Sequence, residues 1–197
     1  TYGKDMNRFL DTFVGGWQMG WLYNYATGSP FTITGQNSVN SFTTGFTPNV
    51  VGALPSAQVS VNGSYVTLFP GVTQIPDPSR ALVTTTNALN TRATLFAVGN
   101  SSGSPIFVNT LPGQMGNIAL GAFTSPPVNS LDLNVQKDFK LTERFNFQLR
   151  ATASNALNHT QFLTPAAAQL AIGSSTFGHV TSTAASRVLV LQGRINF

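Results

Sequence analysis

The acidic and histidine side chains are the residues of this chain that could perform acid–base or metal chemistry. The 197 residues include six Asp and Glu, two His and no Cys. Paired carboxylates for glycoside hydrolysis would have to come from Asp132, Asp138 and Glu143, which lie on one predicted strand and the turn after it. Asp132 facing Arg150 across adjacent strands would be an ordinary cross-strand pair.

Metal-binding and nucleophilic patterns are not evident either. His159 and His179 lie far apart along the chain, and no spacing joins them to a third ligand such as Asp77. No Ser lies in a nucleophile elbow, and no Gly-rich run has the spacing of a phosphate-binding loop. Without Cys there is no thiolate or disulfide chemistry. We therefore expect no enzyme activity, no cofactor and no metal.

The composition restricts the class of protein. Hydrophobic residues make up 42% of the chain and charged residues only 8%, against about a quarter in soluble domains. Few charges are typical of transmembrane barrels and of self-assembling β-proteins. No run approaches the ~18 apolar residues of a transmembrane helix, whereas alternating barrel strands remain possible. The basic residues are scattered, which argues against nucleic-acid binding.

Four segments alternate strictly between apolar and polar residues, which predicts β-strands. They span 16–26, 128–139, 144–154 and 187–197. The first places an aromatic stripe on one face, formed by Trp17, Trp21, Tyr23 and Tyr25. Its length matches the ~9–11 residues of a tilted transmembrane strand. We interpret this stripe as membrane-facing.

The predicted fold is all-β. It is an antiparallel meander of long amphipathic strands with long loops on one side, like the last strands of an outer-membrane β-barrel. We expect a single β-rich unit over 1–197, with loop regions at 27–127 and 155–186 and a hairpin at 58–69 around Asn62-Gly63. The apolar face would meet lipid in a barrel or a second sheet in a soluble sandwich. Lys137 and Arg187 share that face near strand ends, where long cations can extend to the lipid headgroups.

Short motifs in a fixed order carry a family resemblance. TonB-dependent receptors of the Oar-like, carboxypeptidase-regulatory-domain-containing type have similar motifs at the same places. The matching runs are Gly16-Trp17-Gln18, Thr27-Gly28-Ser29-Pro30-Phe31, Asn129 to Phe139, Phe147 to Ala151, Asn155 to Phe162, and Phe177-Gly178-His179-Val180. Ala153 and Ser154 depart from the larger residues that the family prefers.

The resemblance implies a location and partners. It implies the bacterial outer membrane, contact with outer-membrane lipid, and recognition of the last strand by the barrel-assembly machinery through a terminal aromatic residue, here Phe197. Substrate would be contacted by loop residues including Asn155, Asn158, His159 and Phe162. Such barrels have 22 strands and a plugged lumen, so four strands would form part of the wall. The start at Thr1, with no Met or signal-peptide pattern, indicates a removed leader or a fragment.

Two functions from different classes follow. The first is the C-terminal part of an outer-membrane TonB-dependent receptor that takes up a bulky nutrient. The alternative is an extracellular β-rich subunit that assembles into a filament or tube, because a four-stranded sheet has two edges that can pair with further copies. A soluble carbohydrate-binding sandwich is a third possibility.

Overall fold

The computed structural model describes residues 13–35, 46–82, 95–111, 114–142, 144–184 and 186–197. The protein is all-β with antiparallel sheets, as the alternation predicted. The strands are β1 (Trp17–Ala26), β2 (Pro30–Phe31), β3 (Asn49–Val50), β4 (Ser60–Asn62), β5 (Tyr65–Thr67), β6 (Val72–Pro76), β7 (Phe96–Asn100), β8 (Pro105–Val108), β9 (Phe123–Thr124), β10 (Val128–Lys140), β11 (Asn146–Ser154), β12 (His179–Val180) and β13 (Val188–Asn196). A 3-10 helix spans Pro78–Leu82 and a short α1 spans Ala167–Leu170. No helix in the described ranges is long and apolar enough to cross a membrane.

The chain folds into two compact units. The first, which we call the sheet unit, comprises Thr1–Ala26, Val128–Gln161 and Ala184–Phe197. The second, the insert unit, comprises Thr27–Pro127 and Phe162–Thr183. The sequence was interpreted as one unit with long loops, whereas these loop regions form a unit with its own core.

The sheet unit is a four-stranded antiparallel sheet in the order β1-β10-β11-β13. Its strands lie within a few residues of the four segments that alternation predicted. Lys140 pairs with Asn146 beside the short connection between β10 and β11, while Glu143 of that predicted turn lies outside the described residues. The pairs Ala26–Val128 and Ser154–Val188 lie at the opposite end of the strands. Both long connections therefore leave the sheet at the same end of its strands, and the short connection lies at the opposite end.

The register gives the sheet one apolar and one mainly polar face, because directly paired residues point to the same side. The apolar face consists of Trp17, Met19, Trp21, Tyr23 and Tyr25 from β1, Leu131, Leu133, Val135, Lys137 and Phe139 from β10, Phe147, Leu149, Ala151 and Ala153 from β11, and Leu189, Leu191 and Ile195 from β13. The polar face carries Gln, Asn, Asp, Thr and Arg side chains from the intervening positions.

Among its described residues, the insert unit contains three small antiparallel sheets. Their strand orders are β3-β8-β7-β6, β12-β5-β4 and β2-β9. Its core is a cluster of buried apolar side chains, formed by Phe31, Ile33, Leu68, Phe69, Val98, Ile106, Phe107, Ile118, Phe123, Leu170, Ile172 and Phe177. Strands of two to five residues are too short to show a period in the sequence, which is why this region was interpreted as loops.

The hairpin near Asn62 joins β4 to β5 through a two-residue loop. Asn62 pairs with Tyr65, so the central residues are Gly63 and Ser64. Of these two only Gly63 has a positive φ, of 59°, which is the pattern of a type II′ turn. The turn therefore depends on glycine in its first central position.

Candidate functional site

The apolar face of the sheet unit is exposed to its surroundings. Trp21 is 71% exposed, Met19 is 73% exposed and Leu191 is 78% exposed. In the part of the chain that the structure describes, the buried apolar core cluster belongs to the insert unit. A broad apolar sheet face that stays uncovered marks a surface that meets lipid or another protein.

Aromatic residues lie at both ends of this face. Three aromatic residues lie near the end with the short connection, namely Trp17, Phe139 and Phe147. The rings of Phe139 and Phe147 stack with centroids 6.0 Å apart. Tyr23 and Tyr25 lie toward the opposite end of the strands. Aliphatic residues occupy most of the rows between. The ten residues of β1 extend about 31 Å. At a tilt of about 40° they span about 23 Å, close to the apolar band of an outer-membrane barrel, which is about 25 Å tall and flanked by aromatic girdles.

Lys137 is the cation of this face within β10. It is only 3% exposed, so it does not extend outward as the sequence analysis expected. Its ammonium instead donates a hydrogen bond to the carbonyl of Gly15 and lies 5.3 Å from the ring centroids of both Trp17 and Phe139. The aromatic rings and the carbonyl compensate for the hydration that the ammonium loses when it is buried.

The polar face carries the carboxylates considered for catalysis. Asp138 accepts hydrogen bonds from the side-chain amides of Gln136 and Gln148, at 3.3 and 2.9 Å. Asp132 accepts one from the backbone N–H of Asn155, at 2.9 Å. Asp132 and Asp138 are six positions apart on one strand, or about 20 Å. Glycosidase carboxylates lie within about 10 Å of each other, so these two cannot act as such a pair.

The expected pairing of Asp132 with Arg150 is wrong. The register places Arg150 directly opposite Gln136. Both side chains line a shallow cleft of about 380 Å³, where Gly20 of β1 leaves open space on the polar face. A single sequence does not fix the strand register. The observed register of β10 against β11 is shifted by several residues from the one that would place Asp132 opposite Arg150.

Three of the predicted substrate-contact residues form one tight turn after β11. Asn155 and Asn158 have positive φ values of 49° and 52°, a conformation that Asn tolerates better than most residues. The Asn155 side chain donates to the carbonyl of His159 and accepts from its N–H, at 3.1 and 3.2 Å. Asn155 is thus a buried residue that builds the turn, while Asn158 and His159 are exposed. Phe162 belongs to the insert unit, where it pairs with Thr183.

Phe197, predicted as the assembly signal, is 95% exposed and its ring lies 6.5 Å from that of Phe145. Its role stays a prediction. In the described ranges, no three acidic or histidine side chains come together to hold a metal ion.

An aromatic cleft in the insert unit was missed by the sequence analysis. Tyr65 of β5 and His179 of β12 stack with ring centroids 4.0 Å apart and planes 20° apart. The hairpin motif indicated a local structure, whereas the Phe177-Gly178-His179-Val180 run was part of the family resemblance only. Their contact joins residues far apart in the sequence, and no local pattern shows it.

The comparisons with known proteins point to one family. The family described as "Outer membrane beta barrel domain" matches residues 1–192, nearly the whole chain. Neither the curated proteins nor the solved structures gave a match.

Proposed function

This chain belongs to the outer-membrane β-barrel domain family and lies in the outer membrane, and from that premise we propose that it is the C-terminal part of a TonB-dependent receptor of the Oar-like type. In this proposal it takes up a bulky nutrient. Its four long strands form part of the barrel wall, the apolar face meets outer-membrane lipid and the polar face lines the lumen. No residue of the chain performs chemistry or holds a cofactor.

The observation that carries the proposal is the asymmetry of the sheet unit. Both long connections leave the sheet at the strand ends that contain Ala26 and Ser154. The short connection lies at the opposite end, beside Lys140. Outer-membrane barrels have long extracellular loops and short periplasmic turns. The Tyr25 end of β1 is then extracellular and the Trp17 end periplasmic.

Substrate contact is assigned to the exposed turn residues Asn158 and His159 and to the insert unit. A compact insert unit with a buried core suits this role, because binding loops on a rigid scaffold lose less conformational entropy when a ligand binds. The barrel-assembly machinery is the partner proposed for β13.

Cell fractionation with an antibody against this segment tests the proposal. We expect a band several times heavier than 20.9 kDa in the outer membrane, and nutrient uptake that a protonophore abolishes, because such receptors are energised from the inner membrane. A band near 20.9 kDa in an extracellular fraction that sediments, or uptake unaffected by the protonophore, would refute it.

A second candidate is an extracellular filament or tube built from copies of this chain. Strands β1 and β13 each have one neighbour among the described residues, and every residue of both strands is exposed. Such edges can pair with another copy. Concentration-dependent growth of ordered fibres from the purified chain would favour this candidate, whereas a chain that stays monomeric and requires detergent would exclude it.

A further inference from the structure

A cleft of about 180 Å³ opens in the insert unit beside the β4–β5 hairpin. Tyr65 and His179 form one side of it, and Phe177 lies at its base. Asn62, Thr73 and Ser101 contribute an amide and two hydroxyl groups around the opening. None of the described residues that line the cleft carries a formal charge when His179 is counted as neutral.

The backbone fixes the stacked pair at the side of the cleft. His179 lies opposite Thr67 in the pairing of β12 with β5, which places it diagonally from Tyr65 on the same face of that sheet. The Tyr65 hydroxyl accepts a hydrogen bond of 2.7 Å from the Asn62 side chain. Tyr65 is still 39% exposed, so part of its ring remains available to a ligand.

Packing contacts and a hydrogen bond hold the base of the cleft in place. Phe177 stacks on Phe69 with ring centroids 5.3 Å apart, and both rings are buried. Gly178 follows with φ of 75°, and a Cβ there would lie 2.9 Å from the Phe69 ring. The Thr67 hydroxyl donates to the Gly178 carbonyl at 3.2 Å. A preformed cleft of this kind loses little entropy when it binds a ligand.

Several polar atoms at the opening can still bond to a ligand. Among the side-chain atoms of the described residues, Oδ1 of Asn62, the hydroxyl of Ser101 and the ring nitrogens of His179 make no hydrogen bond, while Nδ2 of Asn62 donates to Tyr65. The Thr73 hydroxyl donates to the Asn100 carbonyl at 3.1 Å, and its oxygen can accept another bond. These groups can donate to and accept from hydroxyl groups of a ligand.

We propose that this cleft binds one ring of a neutral sugar. A sugar ring has an apolar C–H face that fits an exposed aromatic ring and a rim of hydroxyl groups that fits the amide and hydroxyl groups of the cleft. The lack of lining charge disfavours anionic or cationic ligands, which would lose hydration without a counter-charge. The volume lies below the ~300–1,000 Å³ of drug-sized sites, so the cleft holds a single ring, free or at the end of a glycan. The proposal rests on the proposed uptake function, for which it names the substrate class.

The two histidines of the chain provide a direct test by NMR. The full chain in detergent is titrated with glucose, galactose, N-acetylglucosamine and maltose, and the imidazole signals are followed. His179→Ala and His159→Ala each remove one signal and so assign the two. We expect at least one of these sugars to shift the His179 signal saturably.

Two variants establish the site. Tyr65→Ala is expected to weaken the binding of that sugar about tenfold or more, because it removes the aromatic face. Ser101→Leu fills the opening from an exposed turn without touching the core and is expected to abolish the shift. Tyr23→Ala, the matched control, removes an exposed tyrosine ring from the apolar face of the sheet unit and is expected to leave the affinity unchanged. Glucuronic acid is expected to bind more weakly than the neutral sugar.

Three results would overturn the inference. They are no shift of His179 with any of the four sugars, an affinity that is unchanged in Tyr65→Ala, and binding of glucuronic acid at least as tight as that of the neutral sugar. The test is independent of uptake. Sugar binding without protonophore-sensitive uptake would remove the proposed function and keep the site, and uptake without sugar binding would do the reverse.

Discussion

Lys137 lies directly opposite Trp17 across β10 and β1, and its ammonium nitrogen is 5.3 Å from the centroid of the Trp17 ring. The Phe139 ring lies at the same distance, and the Gly15 carbonyl accepts a hydrogen bond from the ammonium. A cation on an apolar, lipid-facing surface is costly unless local groups replace its hydration. The two aromatic rings and one carbonyl provide that replacement here.

Trp17→Leu is therefore expected to cost more stability than Trp21→Leu. Both tryptophans lie on the apolar face of β1 and are exposed, but only Trp17 contacts Lys137 and donates to the Phe13 carbonyl at 2.9 Å. We expect the free energy of unfolding to fall by about 2 kcal/mol more for Trp17→Leu.

Urea unfolding in lipid vesicles measures this difference. The chain has two Trp residues, so each variant keeps one as the fluorescent reporter. Equal losses of stability in the two variants would show that the aromatic contact with Lys137 has no energetic role.

Gly178→Ala is expected to destabilise the insert unit more than Gly63→Ala. Both glycines have positive φ, of 75° and 59°, which costs about 1–2 kcal/mol for other residues. A Cβ at Gly63 meets open space, whereas at Gly178 it meets the Phe69 ring. We expect an additional loss of about 1–3 kcal/mol for Gly178→Ala from this overlap.

Hydrogen exchange of the β5 amides provides the measurement for this pair of variants. Faster exchange in Gly178→Ala than in Gly63→Ala is the expected result. The packing of Gly178 against Phe69 would be refuted if both variants exchanged at the same rate.

Asn155→Gly and Asn158→Gly separate the role of the turn from that of its exposed surface. Glycine accepts the positive φ at both positions, but only Asn155→Gly removes the two side-chain bonds to the His159 backbone. We expect a loss of about 1–2 kcal/mol for Asn155→Gly and less than about 0.5 kcal/mol for Asn158→Gly. Thermal unfolding of the two variants tests this order, and a larger loss at Asn158 would contradict it.

The long strands could be predicted from the sequence because their alternation is unbroken over nine or more residues. A shift of one residue would exchange the two faces of the sheet, so Trp17, Trp21 and Tyr25 can share only one side. The alternation and the low charge left a lipid-facing barrel and a soluble sandwich open. The outer-membrane location was implied by the family resemblance, and the family match supports it.

The insert unit and its cleft could not be predicted in the same way. The stacking of Phe69 on Phe177 and of Tyr65 on His179 joins residues more than 100 positions apart, through strands of only two or three residues. A local period does not extend over such short elements. The same lack of long-range information explains the wrong pairing of Asp132 with Arg150.

We expect the apolar face of the sheet to meet lipid and the opposite face not to. Val190 and Leu191 are neighbours in β13, are 53% and 78% exposed, and point to opposite faces because side chains alternate along a strand. Val190→Arg and Leu191→Arg therefore introduce the same charge on the two sides.

The free energy of unfolding of these two variants in lipid vesicles is the most direct test. We expect a loss of about 2–4 kcal/mol for Leu191→Arg, the cost of an arginine facing the lipid near the bilayer midplane, and less than about 1 kcal/mol for Val190→Arg on the lumen face. Equal losses, or a larger loss for Val190→Arg, would contradict it.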